Sequence, residues 1–248
     1  MPRVAVVSGG TSGIGRAVAV RLAADGFEVV AFGSDRERVA RLRDAHPELD
    51  ARCVDVTDAD AVHALVADVH ARSGRVDVLC PAAGIKHPGG VADTAVETWD
   101  RTFAVNVRGA FLLTRAVLPG MVRRRSGCIV YIGSPSARGG VDHAAYVSSK
   151  GALHALAMAV ALDHVGDRIR ANTVVAGATR TGMNRRRPEA VFARLAEGNA
   201  AGRVNEPEDV ANVVAFLASP AAETISGACI DVGAFAGQGV LDDGKAHP

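Results

Sequence analysis

The chain has 248 residues, a formal net charge of +1 at pH 7 and apolar side chains at 48% of its positions. This balance lacks the basic excess that binds nucleic acid or an anionic membrane surface. The length suits one large domain, because α/β folds of this size often form a single unit. We therefore expect a single domain over residues 1–248, with no nucleic-acid or membrane partner.

The N-terminal sequence and the cysteines indicate the compartment. The segment MPRVAVVSGG lacks the charged and then long apolar pattern of a signal peptide, and no apolar run is long enough to span a bilayer. The four cysteines, at positions 53, 80, 128 and 229, have no C-x-x-C spacing. This pattern favours buried free thiols over disulfides or a metal site. We expect a cytoplasmic protein without a metal ion.

The first unit of the chain joins an apolar run to a glycine-rich segment. Residues 3–8 (RVAVVS) are typical of a strand buried on both faces, and a helical pattern at 16–25 follows the segment GGTSGIG at 9–15. In such a loop, backbone N–H groups at the helix start can hold a pyrophosphate, whose close approach a Cβ would block. A plain strand-to-helix turn is the alternative, but the position after the first strand favours a nucleotide.

Strand-like and helix-like segments alternate along the rest of the chain. Further strands are predicted at 27–32, 51–56, 76–80, 128–133, 168–175 and 227–232. Further helices are predicted around Arg38 and Leu42, at 59–72, at 97–123 and at 145–164. This alternation implies parallel strands with right-handed crossovers. We predict an α/β, three-layer doubly wound (Rossmann-type) fold with a seven-stranded parallel sheet.

Tyr146 and Lys150 are four residues apart in a predicted helix, so their side chains share one face. An ammonium group favours the phenolate, because an opposite charge stabilises the ionised form. A tyrosine tuned in this way can exchange a proton with a carbonyl or alcohol, whereas an ordinary phenol with a pKa of ~10 is a poor base near neutral pH. Ser134 follows a strand and can lean toward the same oxygen. The alternative is a surface helix on which the two side chains only pack.

Asn106 lies in the middle of a predicted helix among apolar neighbours. A buried amide is unfavourable unless it is hydrogen-bonded. A functional asparagine and a core asparagine bonded to a backbone carbonyl are equally consistent with the sequence.

Together these residues resemble the short-chain dehydrogenase/reductase family, from Val4 to about Val232. The family's catalytic tetrad matches Asn106, Ser134, Tyr146 and Lys150. Asp55 matches the acidic residue that bonds the adenine ring, and Thr181 the residue that contacts the nicotinamide carboxamide. The resemblance implies cofactor contacts from Gly9, Thr11, Ser12, Gly13, Ile14, Gly15, Arg16, Gly33, Ser34, Arg36, Asp55, Val56, Ala82, Ala83, Gly84, Tyr146, Lys150, Gly177, Thr179 and Thr181.

The resemblance also implies a reaction. It predicts a carbonyl reductase or alcohol dehydrogenase that moves a hydride between a nicotinamide cofactor and a ketone or secondary alcohol. Tyr146 is then the acid/base, Ser134 holds the substrate oxygen, and Lys150 lowers the Tyr146 pKa and binds the ribose. Asn106 is expected to position a water that links Lys150 to solvent.

The chain departs from the family pattern in several places. Ser8 replaces the usual Thr before the glycine loop, and residues 81–84 read PAAG instead of NNAG, which removes two asparagine side chains. Residues 176–177 read AG instead of PG, and 233–235 read GAF where a glycine pair is usual. The Ser134 to Tyr146 spacing is one residue shorter than the commonest form, with Ser136 as a weaker substitute for Ser134. A catalytic group is present at each tetrad position.

The choice between NAD and NADP falls at the end of the second strand. NAD-preferring members place an Asp where this chain has Gly33, and Arg36 and Arg16 are available to pair with a 2′-phosphate. Ser34 follows Gly33, and the carboxylate of Asp35 is the complication. We predict NADP (NADPH), with NAD as the alternative.

Two segments, 85–95 and 177–206, are expected to frame the substrate site, because loops at the carboxyl ends of strands build such sites. Candidate contacts to a carbonyl or alcohol substrate are Lys86, His87, His143, Arg180 and Met183. The substrate can also carry an anionic group. The arginines at 185–187 are interpreted as a solvated loop.

Three further expectations concern the class of protein and its assembly. A non-redox lyase or dehalogenase on the same fold is one alternative, although such relatives tend to lose the glycine loop or the lysine. A catalytically idle NADP-binding regulator is another. The resemblance implies a homo-oligomer, a tetramer or dimer, paired through helices near 101–123 and 146–164. The small residues Ala152, Ala155 and Ala159 permit this pairing, or else pack inside the subunit.

Overall fold

The computed structural model describes residues 2–184 and 187–233. Seven strands run through these residues: β1 (Val4–Ser8), β2 (Glu28–Gly33), β3 (Asp50–Cys53), β4 (Val78–Pro81), β5 (Gly127–Gly133), β6 (Ile169–Ala176) and β7 (Cys229–Val232). The α-helices are α1 (Gly13–Ala24), α2 (Arg36–Ala45), α3 (Ala59–Ser73), α4 (Val96–Phe103), α5 (Gly109–Arg124), α6 (Ala144–Asp163), α7 (Glu189–Glu197) and α8 (Pro207–Ala218).

The strands form one parallel sheet in the order β3-β2-β1-β4-β5-β6-β7. Val6 in β1 is paired with Val30 on one side and with Leu79 on the other. From β1 the chain adds strands first on one side of the sheet and then, starting with β4, on the other side. Ligands bind at such a switch point, beyond the carboxyl ends of the strands. The predicted doubly wound α/β fold with seven parallel strands is confirmed.

Alternating side chains of the central strands supply two apolar cores. In β1, Ala5 and Val7 belong to the core under α1, α2 and α8, whereas Val4 and Val6 belong to the core under α3, α5 and α6. A strand that is buried on both faces must be apolar at every position, which explains the continuous run at the start of the chain. Burial of both faces holds the strand ends rigidly, and the loops that follow them are thereby positioned.

The segment predicted as one or two helices at 97–123 contains a π-helical turn. Residues Ala104–Arg108 adopt i to i+5 bonding between α4 and α5, and Asn106 lies at the centre of this turn. A π-turn adds a residue to the helix and is often found at functional sites. Periodicity alone does not reveal it, because the flanking helices keep their usual spacing.

Helices α7 and α8 are not among the helices predicted from the sequence. For α8 the sequence does contain a start signal: Glu206 and Asp209 form a capping box, and Pro207 occupies the first helical position. For α7 the pattern is weak, since only Phe192 and Leu195 are buried.

The third strand is shorter than predicted, and the edge strands expose cysteines. Strand β3 ends at Cys53, and Asp55 lies in the following turn, where its Oδ1 accepts bonds from Thr57 N and Thr57 Oγ1 at 2.9 and 2.8 Å. Cys80 and Cys128 are buried as expected, but Cys53 and Cys229 are exposed. The expectation fails for these two because β3 and β7 are the sheet edges.

Among the described residues, α6 alone is long and apolar enough to cross a membrane. It packs against β5 and β6, and its inward face includes Leu153 and Ala157 in the core. A core helix passes a test of length and composition as readily as a membrane span does. The helix therefore gives no support for a membrane segment.

Candidate active site

A cavity of about 1210 Å³ opens at the carboxyl ends of β1, β4, β5 and β6. It reaches from the glycine loop, past Ser134, Tyr146 and Lys150, to Lys86 and Met183. This position is the one that the switch point between β1 and β4 favours for a ligand. The volume is at the upper end for small-molecule sites and suits a dinucleotide together with a substrate.

The glycines of the loop serve the packing of the loop itself. A Cβ on Gly9 would lie 2.8 Å from Ala83 N, and a Cβ on Gly15 would lie 2.3 Å from Gly9 O. Gly13 has a φ of +51° and its nearest neighbour is the Thr181 methyl group at 3.3 Å. The missing side chains of Gly9 and Gly15 therefore allow backbone segments to meet, which is a second reason for glycine at these positions beside the predicted approach of a phosphate. Gly13 lies at the open side.

The start of α1 has no side-chain cap. Its N-cap residue, Ser12, makes no capping hydrogen bond, and the first turn contains no acidic residue. By contrast, Asp35 caps α2 and Asp58 caps α3 through their side chains. The free N–H groups of an uncapped helix start, together with its dipole, favour a phosphate. The residues present therefore fit the pyrophosphate of a dinucleotide.

The altered turn after β4 is held by side chains from elsewhere. Ser8 Oγ accepts a hydrogen bond from Ala83 N at 3.2 Å. Asn106 Oδ1 accepts from Ile85 N at 2.8 Å, and Asn106 Nδ2 donates to Ile85 O at 3.0 Å. These bonds fix the turn although the two asparagines of the family pattern are absent.

Asn106 is fully engaged as a donor. Its amide donates to Ile85 O and also to Ser149 Oγ, each at 3.0 Å, and its side chain is 1% exposed. The bonds to the Ile85 backbone fit the core interpretation left open by the sequence, and the functional interpretation stays a prediction. One lone pair of Oδ1 stays free for a water molecule.

Lys150 is buried without a carboxylate partner among the described residues. Its Nζ donates to Ile132 O at 2.7 Å and lies 5.6 Å from the centroid of the Tyr146 ring. Burial lowers the pKa of Lys150 to about 8, because the apolar surroundings disfavour the charged form. At neutral pH the amine is still mostly protonated.

Tyr146 and Ser134 lie together in the wall of the cavity. The Ser134 hydroxyl accepts from Ser136 N at 3.2 Å, and both side chains face the same cavity. Burial is the largest influence on the Tyr146 pKa and raises it, whereas the Ser134 hydroxyl and the charge of Arg187 lower it. Lys150 was expected to lower this pKa. In the structure the ammonium donates to Ile132 O, and the net pKa of Tyr146 is raised because burial outweighs the neighbouring charges, so this effect of Lys150 stays a prediction.

The predicted cofactor residues fall into two groups. Those that line the cavity are Gly9, Ser12, Gly13, Ile14, Gly15, Ala82, Ala83, Gly84, Tyr146, Lys150, Gly177, Thr179 and Thr181. Those that do not are Thr11, Arg16, Gly33, Ser34, Arg36, Asp55 and Val56. In the second group, Thr11 packs over Gly33, where a Cβ would lie 2.8 Å from Thr11 Oγ1.

Sequence reasoning overlooked Arg38, which lines the cavity beside the glycine loop. Its Nη1 approaches Ser12 Oγ at 3.5 Å, and its Nε pairs with Asp35 Oδ2 at 3.1 Å. The sequence does signal where α2 begins, because Asp35 is its N-cap, but this signal does not place the Arg38 side chain. Strand β2 ends at Gly33, so Asp35 belongs to the helix start and its charge is paired.

The substrate end of the cavity is lined by Lys86, His87, His143 and Met183, as predicted. His143 Nδ1 contacts His87 O at 3.1 Å. Arg180 does not line the cavity, because it pairs with Glu189 Oε1 at 2.6 Å and is held on the outside. Arg187 does line it. The predictions for Arg185 and Arg186, and for Ala234 and Phe235, lie outside the described residues.

A buried ammonium must lower stability, so Lys150→Met is expected to raise the melting temperature of the cofactor-free protein. The lowered pKa corresponds to ~3 kcal/mol, offset in part by the lost bond to Ile132 O, for a net gain of ~1–2 kcal/mol. Because the folded pKa lies below the unfolded one, this gain is full below about pH 8 and shrinks as the pH rises toward ~10.4. Thermal unfolding of both proteins across this pH range tests the prediction; a gain that is absent or constant with pH contradicts it.

Comparison with known proteins agrees with this geometry. Residues 9–234 match the family profile described as Enoyl-(Acyl carrier protein) reductase. The chain is 38% identical to meso-2,3-butanediol dehydrogenase of Serratia marcescens, covering 93% of this chain and 92% of that one. It is 37% identical to galactitol 2-dehydrogenase (L-tagatose-forming) of Cereibacter sphaeroides, covering 92% of each chain.

A solved structure agrees as well. The crystal structure of gox2181 superposes with a TM-score of 0.85 at 34% identity and covers 93% of this chain and 94% of that one. The fold, the ordered motifs and these matches agree with one another. The chain therefore belongs to the short-chain dehydrogenase/reductase family of oxidoreductases.

Proposed function

We propose that this NAD(P)-dependent oxidoreductase transfers a hydride between NADP(H) and a ketone or secondary alcohol, with Tyr146 as the acid/base. The observation that carries the proposal is that Tyr146 and Ser134 line the same cavity as the uncapped start of α1. The relatives named above are dehydrogenases, which disfavours the idle regulator, and the chain keeps the glycine loop and Lys150, which disfavours the lyase.

The side chains supply the proton chemistry, and the nicotinamide, when bound, donates or accepts the hydride. In reduction, the buried Tyr146 hydroxyl is protonated and gives its proton to the carbonyl oxygen. Ser134 accepts a bond from Ser136 N and keeps its own proton to donate to the same oxygen. Lys150 is protonated below about pH 8 and stabilises the tyrosinate left behind.

We assign Asn106 to positioning the turn after β4 above Lys150. A Cβ on Gly84 would lie 3.5 Å from Asn106 Oδ1 and 3.8 Å from Lys150 Nζ, so the turn covers the amine closely. The water link between Lys150 and solvent is part of the proposal, with the free lone pair of Oδ1 as its anchor.

Tyr146→Phe is expected to lower kcat by at least ~10³-fold while the dissociation constant for the cofactor changes by less than ~3-fold, because only the proton donor is lost. Turnover is measured by absorbance of reduced nicotinamide with a panel of ketones and secondary alcohols, and cofactor binding by calorimetry. Ser136→Ala is the matched control, since it leaves the backbone N–H that bonds Ser134. Near-normal turnover by Tyr146→Phe contradicts the assignment.

We propose NADP over NAD because Arg38 is next to the glycine loop and no carboxylate follows directly at the end of β2. Arg38 then contacts the 2′-phosphate, a contact for which guanidinium groups are well suited. Arg16 and Arg36, which the sequence favoured for this role, have less support because neither lines the cavity.

Arg38→Gln is expected to lower kcat/KM for NADP by ~10-fold or more relative to NAD, because a charge-assisted contact is lost with one cofactor only. Arg36→Gln is the matched control, two positions earlier on the same helix. Steady-state kinetics with both cofactors give the ratio. If the NADP-to-NAD ratio of kcat/KM changes with Arg36→Gln and not with Arg38→Gln, the contact to the 2′-phosphate belongs to Arg36. A wild-type preference for NAD overturns the proposal.

We further propose that residues 1–248 act as a single cytoplasmic domain, with 177–206 covering the substrate end, and that copies of it pair through α4, α5 and α6. On these helices Trp99 is 38% exposed and Phe111 46% exposed, and Ala155 and Ala159 lie on the outer face. Large apolar side chains beside small ones suit close helix packing between subunits. Dimer and tetramer are both open under this proposal.

Ala155→Arg is expected to shift the protein toward the monomer, because it adds a long charged side chain to the proposed contact. Ala40→Arg on the outer face of α2 is the control. Light scattering after gel filtration gives the mass of each. A wild-type monomer, or an unchanged mass for Ala155→Arg, contradicts the surface.

A further inference from the structure

The cavity has an excess of positive charge. Its basic side chains are Arg38, Lys86, Arg138, Lys150 and Arg187, and no Asp or Glu is among the described residues that line it. A cleft lined by one sign of charge concentrates ligands of the opposite sign. The dinucleotide accounts for part of this excess, since its phosphates bind at the start of α1.

Three of the five cations have local roles. Arg38 pairs with Asp35 at 3.1 Å, and Arg138 Nη2 pairs with Asp231 Oδ2 at 2.8 Å. Lys150 donates to a backbone carbonyl beneath Tyr146. Lys86 and Arg187 are different, because neither forms an ion pair with a carboxylate in the described part of the chain.

Lys86 is held against the reacting tyrosine. It is half-buried, and its Nζ lies 5.4 Å from the centroid of the Tyr146 ring. It follows directly after Ile85, whose backbone Asn106 fixes through two hydrogen bonds. A rigid turn therefore positions the ammonium beside Tyr146, the residue proposed to exchange a proton with the substrate oxygen.

Arg187 adds a second positive charge at the same end of the cavity. Its charge acts on Lys86, His143 and Tyr146, and both Lys86 and His143 have lowered pKa values from burial and neighbouring cations. Asp142, beside His143, is exposed and lies outside the lining. Like charges gathered in a partly buried site are unfavourable unless an anion neutralises them.

We infer that the substrate carries a carboxylate, which Lys86 binds with support from Arg187, so that the reaction is the interconversion of a hydroxy acid and an oxo acid. The inference rests on the proposed oxidoreductase function. In reduction, the C=O double bond of the oxo acid becomes a C–O single bond: its carbon would accept the hydride that a bound reduced nicotinamide supplies, and its oxygen takes the proton of the Tyr146 hydroxyl. The carboxylate is unchanged and serves only to orient the carbon that reacts.

The test compares acids with their neutral esters. The wild-type enzyme is assayed with 2-hydroxypentanoate and 3-hydroxypentanoate, each against its methyl ester, and with neutral secondary alcohols. We expect kcat/KM for at least one acid to exceed that for its ester by ~10-fold or more, since a charge-assisted contact is lost in the ester. If kcat/KM for the esters equals that for the acids, the inference is overturned while the proposed function stands. If none of the alcohols is turned over, both the inference and the proposed function are contradicted.

Variants of Lys86 identify the group responsible. Lys86→Gln is expected to lower the acid-to-ester ratio of kcat/KM by ~10–100-fold, and Lys86→Arg to retain most of it. Arg180→Gln is the control, since it removes a cation that does not line the cavity. Thermal unfolding checks each fold, and Arg187→Gln replaces Lys86→Gln if that variant does not fold. A ratio that neither Lys86→Gln nor Arg187→Gln lowers overturns the inference.

Discussion

The buried amine of Lys150 is the constraint on which the site depends. Its bond to Ile132 O joins the first half of α6 to the end of β5, and the residue is almost completely buried. Such a group is unfavourable in a folded protein, so its surroundings must be tightly fixed for it to stay charged. The doubly wound sheet provides this rigidity, because β5 is buried on both faces.

The turn after β4 shows how distant parts of the chain meet at this amine. Gly9 allows the glycine loop to lie against Ala83, Ser8 bonds the same turn, and Asn106 holds Ile85. The π-helical turn matters here because it presents Asn106 to the turn from within a helix. Three separate segments therefore share one small turn, and a change in any of them is transmitted to the cover of Lys150.

Much of the fold was predictable from the sequence, since apolar runs of strand length and helical periodicity survive in every central element. Two helices were not predicted. Helix α7 has few buried residues, and α8 lies outside the segments that contain the motifs. The shared helix face of Tyr146 and Lys150 was also predictable, because residues four apart lie on one side of a helix. The Tyr146 pKa was not, since burial depends on packing. The places of Arg38 and Arg187 in the cavity lining were not predictable, because they depend on how a helix start and a loop fold toward the cavity.

The separation of Arg38 from Lys86 has a consequence for divergence within such a fold. Arg38 lies on α2 and contacts the glycine loop, whereas Lys86 lies on the turn after β4 and contacts the Tyr146 ring. Both side chains are at least partly exposed, and neither belongs to the apolar cores. Substitutions at either position are therefore expected to be tolerated by the fold. Descendants of one ancestral gene can change recognition at one of these positions independently of the other, while the buried hydroxyls and amine stay fixed.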